Sequence, residues 1–184
     1  MSLVDGSDAV AILIACFAKF DVPYMIVGSL SSNAYGIPRA TADADIVVEN
    51  LEGAFEAIHQ GLPSEFRSNP QIEFELMTGT TRRVIEFIPT NFKIELFELS
   101  RDNFDQTRFK RRVSVQHSTL GDNVWIPTAE DVVIQKLRWG RPRDLSDVGD
   151  VVAVQHELLD WAYIQRWTDQ HQTSAQMTTI RNEI

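Results

Sequence analysis

One cysteine, Cys16, and four scattered histidines, His59, His117, His156 and His171, are the only thiol or imidazole side chains among 184 residues. That excludes a disulfide framework and gives no Cys/His set with zinc-ligand spacing, so the histidines read as structural or exposed. Long hydrophobic runs are missing as well. The longest, Ala9 to Ala18, has ten residues before Lys19 ends it, whereas a membrane span needs about 20. No basic leader precedes that run; Asp5 and Asp8 do, which speaks against a secretory signal. A lone thiol and no export signal give a reducing cytoplasm as the expected location, with no membrane partner. Cys16 itself falls inside an apolar helix pattern and reads as a small buried side chain. Repeats, low-complexity runs and long linkers are absent too.

What is present is an ordinary globular mixture, 43% hydrophobic and 23% charged, long enough for a sizeable core without staples. The net charge of −9 is unevenly spread: residues 101–143 hold nine basic side chains against five acidic ones, and every other stretch is acidic. Such a chain is a poor general nucleic-acid binder. It suits a phosphate-bearing ligand held against a local cationic wall, unless the clustering is a solvated face.

Periodicity predicts helices over 8–20, 30–35 and 51–60, and strands over 24–27 and 43–49. Strands over 72–77, 83–88 and 92–99 are separated by Thr78-Gly79-Thr80 and Pro89-Thr90-Asn91, so hairpins are expected. Short strands follow at 112–116 and 123–126. Thr128 with Asp131 makes a helix-starting box for 130–139, and further helices are expected over 145–154 and 159–171. The order implies an α/β (α+β) fold with a mixed sheet and a C-terminal helical part. The expected division is an α/β domain over 1–126, a helical part over 127–171 and a flexible tail over 172–184.

The most informative stretch is VGSLSSNAYGIPRATADADIVVE, residues 27–49. Asp43 and Asp45 head an apolar strand, and alternation points both carboxylates to one face while Ala44 and Ile46 face the core. Two like charges there are tolerable with a divalent cation between them; a solvated strand end is the plain alternative. Gly28 and Ser29 join a strand to a helix, where backbone N–H groups can cradle phosphate, although Ser29 can equally be an N-cap.

Together these elements resemble the nucleotidyltransferase superfamily typified by DNA polymerase β. More narrowly, they resemble the small bacterial and archaeal proteins related to the abortive-infection toxin nucleotidyltransferases. Those carry a G-S element, an R-x-T-x-D-x-D element and a later K-h-D strand. Arg39, Thr41, Asp43 and Asp45 match the second element. Phe92-Lys93-Ile94-Glu95 matches the third, with Glu95 where the family usually has aspartate. Glu75, Glu86 and Glu98 are rivals, and alternation turns Glu98 the wrong way. The likeness continues through PTAEDVVIQKLRWGRPRDLSD, where Glu130, Asp131, Lys136, Arg143, Asp144 and Asp147 match an E-D-h-h-h-x-K-L helix and an R-D-x-x-D turn. For Asp144 and Asp147, helix capping is the plain alternative.

The resemblance implies a nucleotidyltransferase palm, a mixed sheet with flanking helices. It implies transfer of a nucleoside monophosphate from a nucleoside triphosphate to an acceptor hydroxyl, with two Mg²⁺ ions on Asp43, Asp45 and Glu95. Gly28, Ser29, Arg39, Thr41, Lys136, Arg143 and Asp144 are the implied nucleotide and phosphate contacts, Lys136 as a mobile point charge. Arg108, Lys110, Arg111 and Arg112 offer an acceptor side. A tRNA or other RNA end, a small molecule or a protein remain open as acceptor, and a homodimer or a cognate antitoxin as protein partner. The rival functions are a non-catalytic nucleotide-binding module, motivated by Glu95, a toxin–antitoxin interaction protein, and a metal-dependent nuclease or phosphatase.

Overall fold

Helix α1 (Gly6–Lys19) buries Val10, Leu13, Ile14 and Phe17 on one stripe, with Cys16 beside them, the three- and four-residue spacing that lays a helix on a sheet. Asp21, at φ 55°, turns the chain into β1 (Tyr24–Val27). There follow α2 (Gly28–Asn33), β2 (Asp43–Val48), α3 (Leu51–Gly61), β3 (Phe66–Ser68), β4 (Glu73–Glu75), β5 (Thr80–Phe87) and β6 (Phe92–Glu98). The remainder is α4 (Asn103–Arg111), β7 (Val113–His117), β8 (Gly121–Ile126), α5 (Ala129–Trp139), α6 (Pro142–Gln155), α7 (Trp161–His171) and α8 (Ser174–Glu183). The computed structural model describes residues 6–69, 71–76 and 79–183. Met77 and Thr78, expected to end a strand and open a turn, lie outside the described residues.

The main sheet runs β1-β2-β6-β5-β3, with β4 also paired to β5. Strands β2 and β6 are parallel and the other pairs antiparallel, so the sheet is mixed. One face carries Ala44, Ile46, Val48, Ile85, Ile94 and Leu96, packed with Leu13 and Phe17 of α1 and Phe55 and Ile58 of α3. The other face carries a smaller cluster of Met25, Val47, Phe97 and Leu99 closed by Phe109 of α4. Toward the end of that second face the apolar residues give way to Asp45 and Glu95. A third cluster joins Phe104 to Val133, Leu137, Val148, Val151, Tyr163 and Trp167 of the C-terminal helices.

The expected strands and hairpins over 83–99 are there, as are α1, α3, α5 and α7 within a residue or two. Helix α4 was not foreseen: NFDQTRFKR has two phenylalanines five apart and no apolar stripe. Asp102 starts it by accepting from the amides of Phe104 and Asp105, and its tertiary role is to supply Phe104 and Phe109 to different clusters. The tail expected to be flexible is instead helix α8. Gln172 ends α7 in the left-handed conformation, and Met177 is buried in the helical cluster with Ile180 packed against it. Two apolar residues three apart are too short a pattern to show a helix in the sequence, yet they suffice when a neighbouring helix covers them.

Candidate active site

Parallel pairing of β2 with β6 sets Asp45 directly opposite Glu95, and Asp43 opposite Lys93. Alternation leaves Ala44 and Ile46 in the core and turns both aspartates toward the second face. Asp43 is exposed, while Asp45 is largely covered. Burial, reinforced by the charges of Asp43 and Glu95, pushes the Asp45 carboxyl up to about 6; Lys136 and Arg141 pull the other way. Thr41 donates to the Asp43 carboxylate at 3.0 Å.

Gly28 follows β1 at φ 62°, a conformation that favours glycine, and its α-carbon lies against Asp45. From there an ion-pair network runs into the C-terminal helices. Arg39 donates to Ser29 Oγ at 2.8 Å and to both Asp147 oxygens at 2.9 and 3.1 Å. Lys136 donates to Asp147 at 2.6 Å and to Asp144 at 3.1 Å. Arg141 donates to Asp144 at 2.6 Å. Burial raises both aspartates, but hydrogen bonds from Arg141 and Lys136 on Asp144, and from Arg39 and Lys136 on Asp147, outweigh it and hold them below the ordinary range. Lys136 is therefore a buried, doubly paired ammonium rather than the mobile charge the sequence suggested. Asp144 and Asp147 are counter-ions rather than caps. Arg143 stands on the rim of the cleft without an ion pair among the described residues.

The rival glutamates separate cleanly. Glu98 faces away and accepts from the Leu51 and Glu52 amides, capping α3. Glu86 pairs with Arg67. Glu75 lines the cleft near Arg82. Arg82 itself, not singled out in the sequence, donates to Glu95 Oε2 at 2.7 Å and to Glu73 at 2.6 and 2.9 Å. Its role could be read only once the β5–β6 register was known.

Of the basic stretch expected to face an acceptor, Arg108 turns inward, Lys110 stays exposed, and Arg111 and Arg112 are engaged by neighbours. Arg108 is buried against Asp105 at 2.9 Å. Arg111 pairs with Asp131 and lies over Tyr163. Arg112 lies over Phe109 and Trp125.

Gly28, Ser29, Asp43, Asp45, Glu95 and Arg143 share one cleft of about 860 Å³, roomy enough for a nucleotide-sized ligand. Among the described residues no three Asp, Glu, His or Cys side chains stand assembled around a metal position. Asp43 and Asp45 fit a hard divalent cation by their chemistry. Glu95 does not complete the set as it stands, because Arg82 engages it.

No protein-family model matches the chain and no curated protein matches it. Solved structures do. The antibiotic-resistance factor ANT(2'')-Ia in solution superposes over 96% of both chains with a TM-score of 0.60 at 12% identity. The fold is a nucleotidyltransferase fold. Crystalline ANT(2'')-Ia in complex with adenylyl-2''-tobramycin matches over 92% of this chain and 98% of its own, with a TM-score of 0.58 at 10% identity. An antigenic nucleotidyltransferase-like protein from Paracoccidioides brasiliensis matches over 95% and 90%, with a TM-score of 0.57 at 13% identity. In this nucleotidyltransferase fold, α2, β2 and β6 line one side of the cleft, and Arg82 of β5, Lys136 of α5 and Asp144 of α6 line the other.

Proposed function

We propose that the chain is a metal-dependent nucleotidyltransferase that moves a nucleoside monophosphate from a nucleoside triphosphate to an acceptor hydroxyl. The observation that carries this reading is the register that sets Glu95 across from Asp45, beside the Gly28 corner and inside one cleft. In the reaction the acceptor oxygen attacks the α-phosphorus, the bond to the bridging oxygen breaks and pyrophosphate leaves. Held by Asp43 and Asp45, and by Glu95 once clear of Arg82, Mg²⁺, as two ions, would supply charge neutralisation at the phosphates and a more acidic acceptor hydroxyl.

The chain's own residues do the rest. Glu95, once clear of Arg82, receives the hydroxyl proton. Thr41 steadies Asp43. Gly28 lets the backbone approach the phosphates, while Ser29, held by Arg39, and the exposed Arg143 bear the charge that builds on pyrophosphate. Lys136 and Asp144 act at one remove, by fixing Asp147 and Arg141.

A small-molecule hydroxyl is the acceptor class the structure favours over an RNA end. Three of the four cations of that stretch, Arg108, Arg111 and Arg112, are engaged by Asp105, Asp131 and aromatic rings, which leaves the exposed Lys110 as the main grip for an RNA backbone. ANT(2'')-Ia, bound to an adenylylated antibiotic, is a precedent on the same fold. The hold of Arg82 on Glu95 favours the second reading, a nucleotide-binding module without turnover.

Incubation with each of the four triphosphates, labelled at the α-phosphate, and with cell RNA, protein or metabolites tests both. Label transferred to metabolites with Mg²⁺ and lost in Asp43→Ala supports the proposal. Binding without pyrophosphate release favours the module. Labelling that survives in Asp43→Ala overturns the assigned site.

A further inference from the structure

One guanidinium stands among three carboxylates at the edge of the cleft. Arg82 gives Nε and Nη2 to a single oxygen of Glu73, at 2.9 and 2.6 Å, and gives Nη1 to Glu95 at 2.7 Å. Glu75 Oε2 lies 3.9 Å from the same Nη1, already at ion-pair distance. The Arg82 and Glu95 side chains are 28% and 22% exposed, so water screens their pairing only in part. Glu73 lies opposite Arg82 in the β4–β5 register and Glu95 belongs to the next strand over. All three side chains therefore project from the same face of the sheet, and the arginine bridges β4 to β6 across β5.

This arrangement has two consequences for Glu95. Its Oε2 is engaged by a cation supplied by the protein, and no three carboxylates are assembled about a metal position among the described residues. Yet release of Glu95 would not strand the arginine. Two of its donors stay on Glu73, and Nη1 needs only a small movement to close on Glu75. A buried or half-buried charge gives up a partner cheaply only when another is within reach.

We infer that Arg82 is a displaceable counter-ion: it occupies Glu95 when no divalent cation is bound, and it transfers to Glu73 and Glu75 when one binds. The inference rests on the reading of Asp43, Asp45 and Glu95 as one cation site. Arg82 is a positioning residue in this scheme, because it acts on the cation only through Glu95. It sets a threshold, so that the third carboxylate joins the site after the cation has arrived.

The test is Mn²⁺ binding to the full chain without nucleotide, followed by electron paramagnetic resonance or calorimetry. Arg82→Gln removes a positive charge that competes for Glu95, and its Mn²⁺ dissociation constant is expected to fall about tenfold. Glu73→Gln removes the fallback partner, so the arginine leans harder on Glu95 and the constant is expected to rise several-fold. Arg82→Lys, which keeps the charge with fewer donors, is expected to stay near the parent. Both glutamine variants lose an ion pair and some melting temperature, which is why affinity is the readout. A purely structural brace would lower the melting temperature of both and move the Mn²⁺ affinity of neither; that result, or weaker binding in Arg82→Gln, overturns the inference. Mn²⁺ binding that Asp45→Asn abolishes, together with unmoved affinities in the Arg82 and Glu73 variants, would sink the inference alone. No Mn²⁺ binding in any variant would sink the cation site with it.

Discussion

The α-carbon of Gly28 is packed against the carboxylate of Asp45: a methyl group built on it would overlap Oδ2 and lie 2.9 Å from Cγ. The strand that ends at Val27 and the strand that carries the acid are paired at that point, Val27 with Asp45. Glycine is required there twice, for its left-handed φ of 62° and for the space.

Gly28→Ala therefore meets strain in the backbone and a clash at the side chain. The expected loss is about 1–2 kcal/mol from the left-handed conformation alone, with more from displacing Asp45. Urea unfolding gives the stability, and calorimetry with a nucleoside triphosphate gives the affinity, which is expected to fall at least tenfold. A variant as stable and as tight-binding as the parent would show that the corner tolerates a side chain.

Asp45 links the site to pH. Its folded-state pKa of about 6 lies above the ordinary 3.8, so the folded chain holds this proton more tightly than the unfolded chain does. Stability from this group is greatest below about pH 4, declines as pH rises toward 6 and is lowest above that. The span corresponds to up to about 3 kcal/mol. Asp45→Asn is expected to be more stable than the parent at pH 7.5, similar at pH 4, and devoid of transfer activity. Chemical denaturation of both proteins at the two pH values checks this; no gain at pH 7.5 would mean that Asp45 is not strained by burial.

Asp147 is the hub of the charged network, 4% exposed and bonded to Arg39 and Lys136. Removing one member of a buried ion pair typically costs about 3–5 kcal/mol, and Asp147→Ala is expected to fall in that range. Arg39 also loses its anchor beside Ser29, so the nucleotide KM should rise while the kcat of the folded fraction changes less. Denaturation curves and steady-state kinetics separate the two effects.

Helix α8 is part of the folded unit. Met177, 5% exposed, packs into the helical cluster, and Met177→Ala is expected to cost about 2–4 kcal/mol. Truncation after Thr173 should cost at least as much. A truncated chain with an unchanged melting temperature would return this segment to the status of a loose tail.

The reach of the sequence followed the range of the interactions. Gly28, Ser29, Asp43 and Asp45 were legible because a strand–turn–helix corner and a period-two strand are local patterns. Glu95 was legible in part: alternation along 92–98 gave its face, but only the parallel pairing with β2 gives its partner. The bond between Arg39 and Asp147 spans 108 positions, and no local pattern announces it. The same holds for Arg82, whose partners come from β4 and β6. Arg108 read as free positive charge because α4 was not foreseen, and with it the pairing to Asp105 one turn earlier; Arg111 did so because its partner Asp131 sits on α5, twenty positions on.

Because β2 and β6 are parallel neighbours, Asp45 and Glu95 stand side by side although fifty positions separate them in the chain. A nascent polypeptide still short of β6 would carry the aspartate pair, the glycine corner and α1, yet lack the strand that completes the sheet between β2 and β5. The cleft is therefore complete only once β6, and after it the α5 and α6 residues Lys136 and Asp144 that also line it, have been added to the chain.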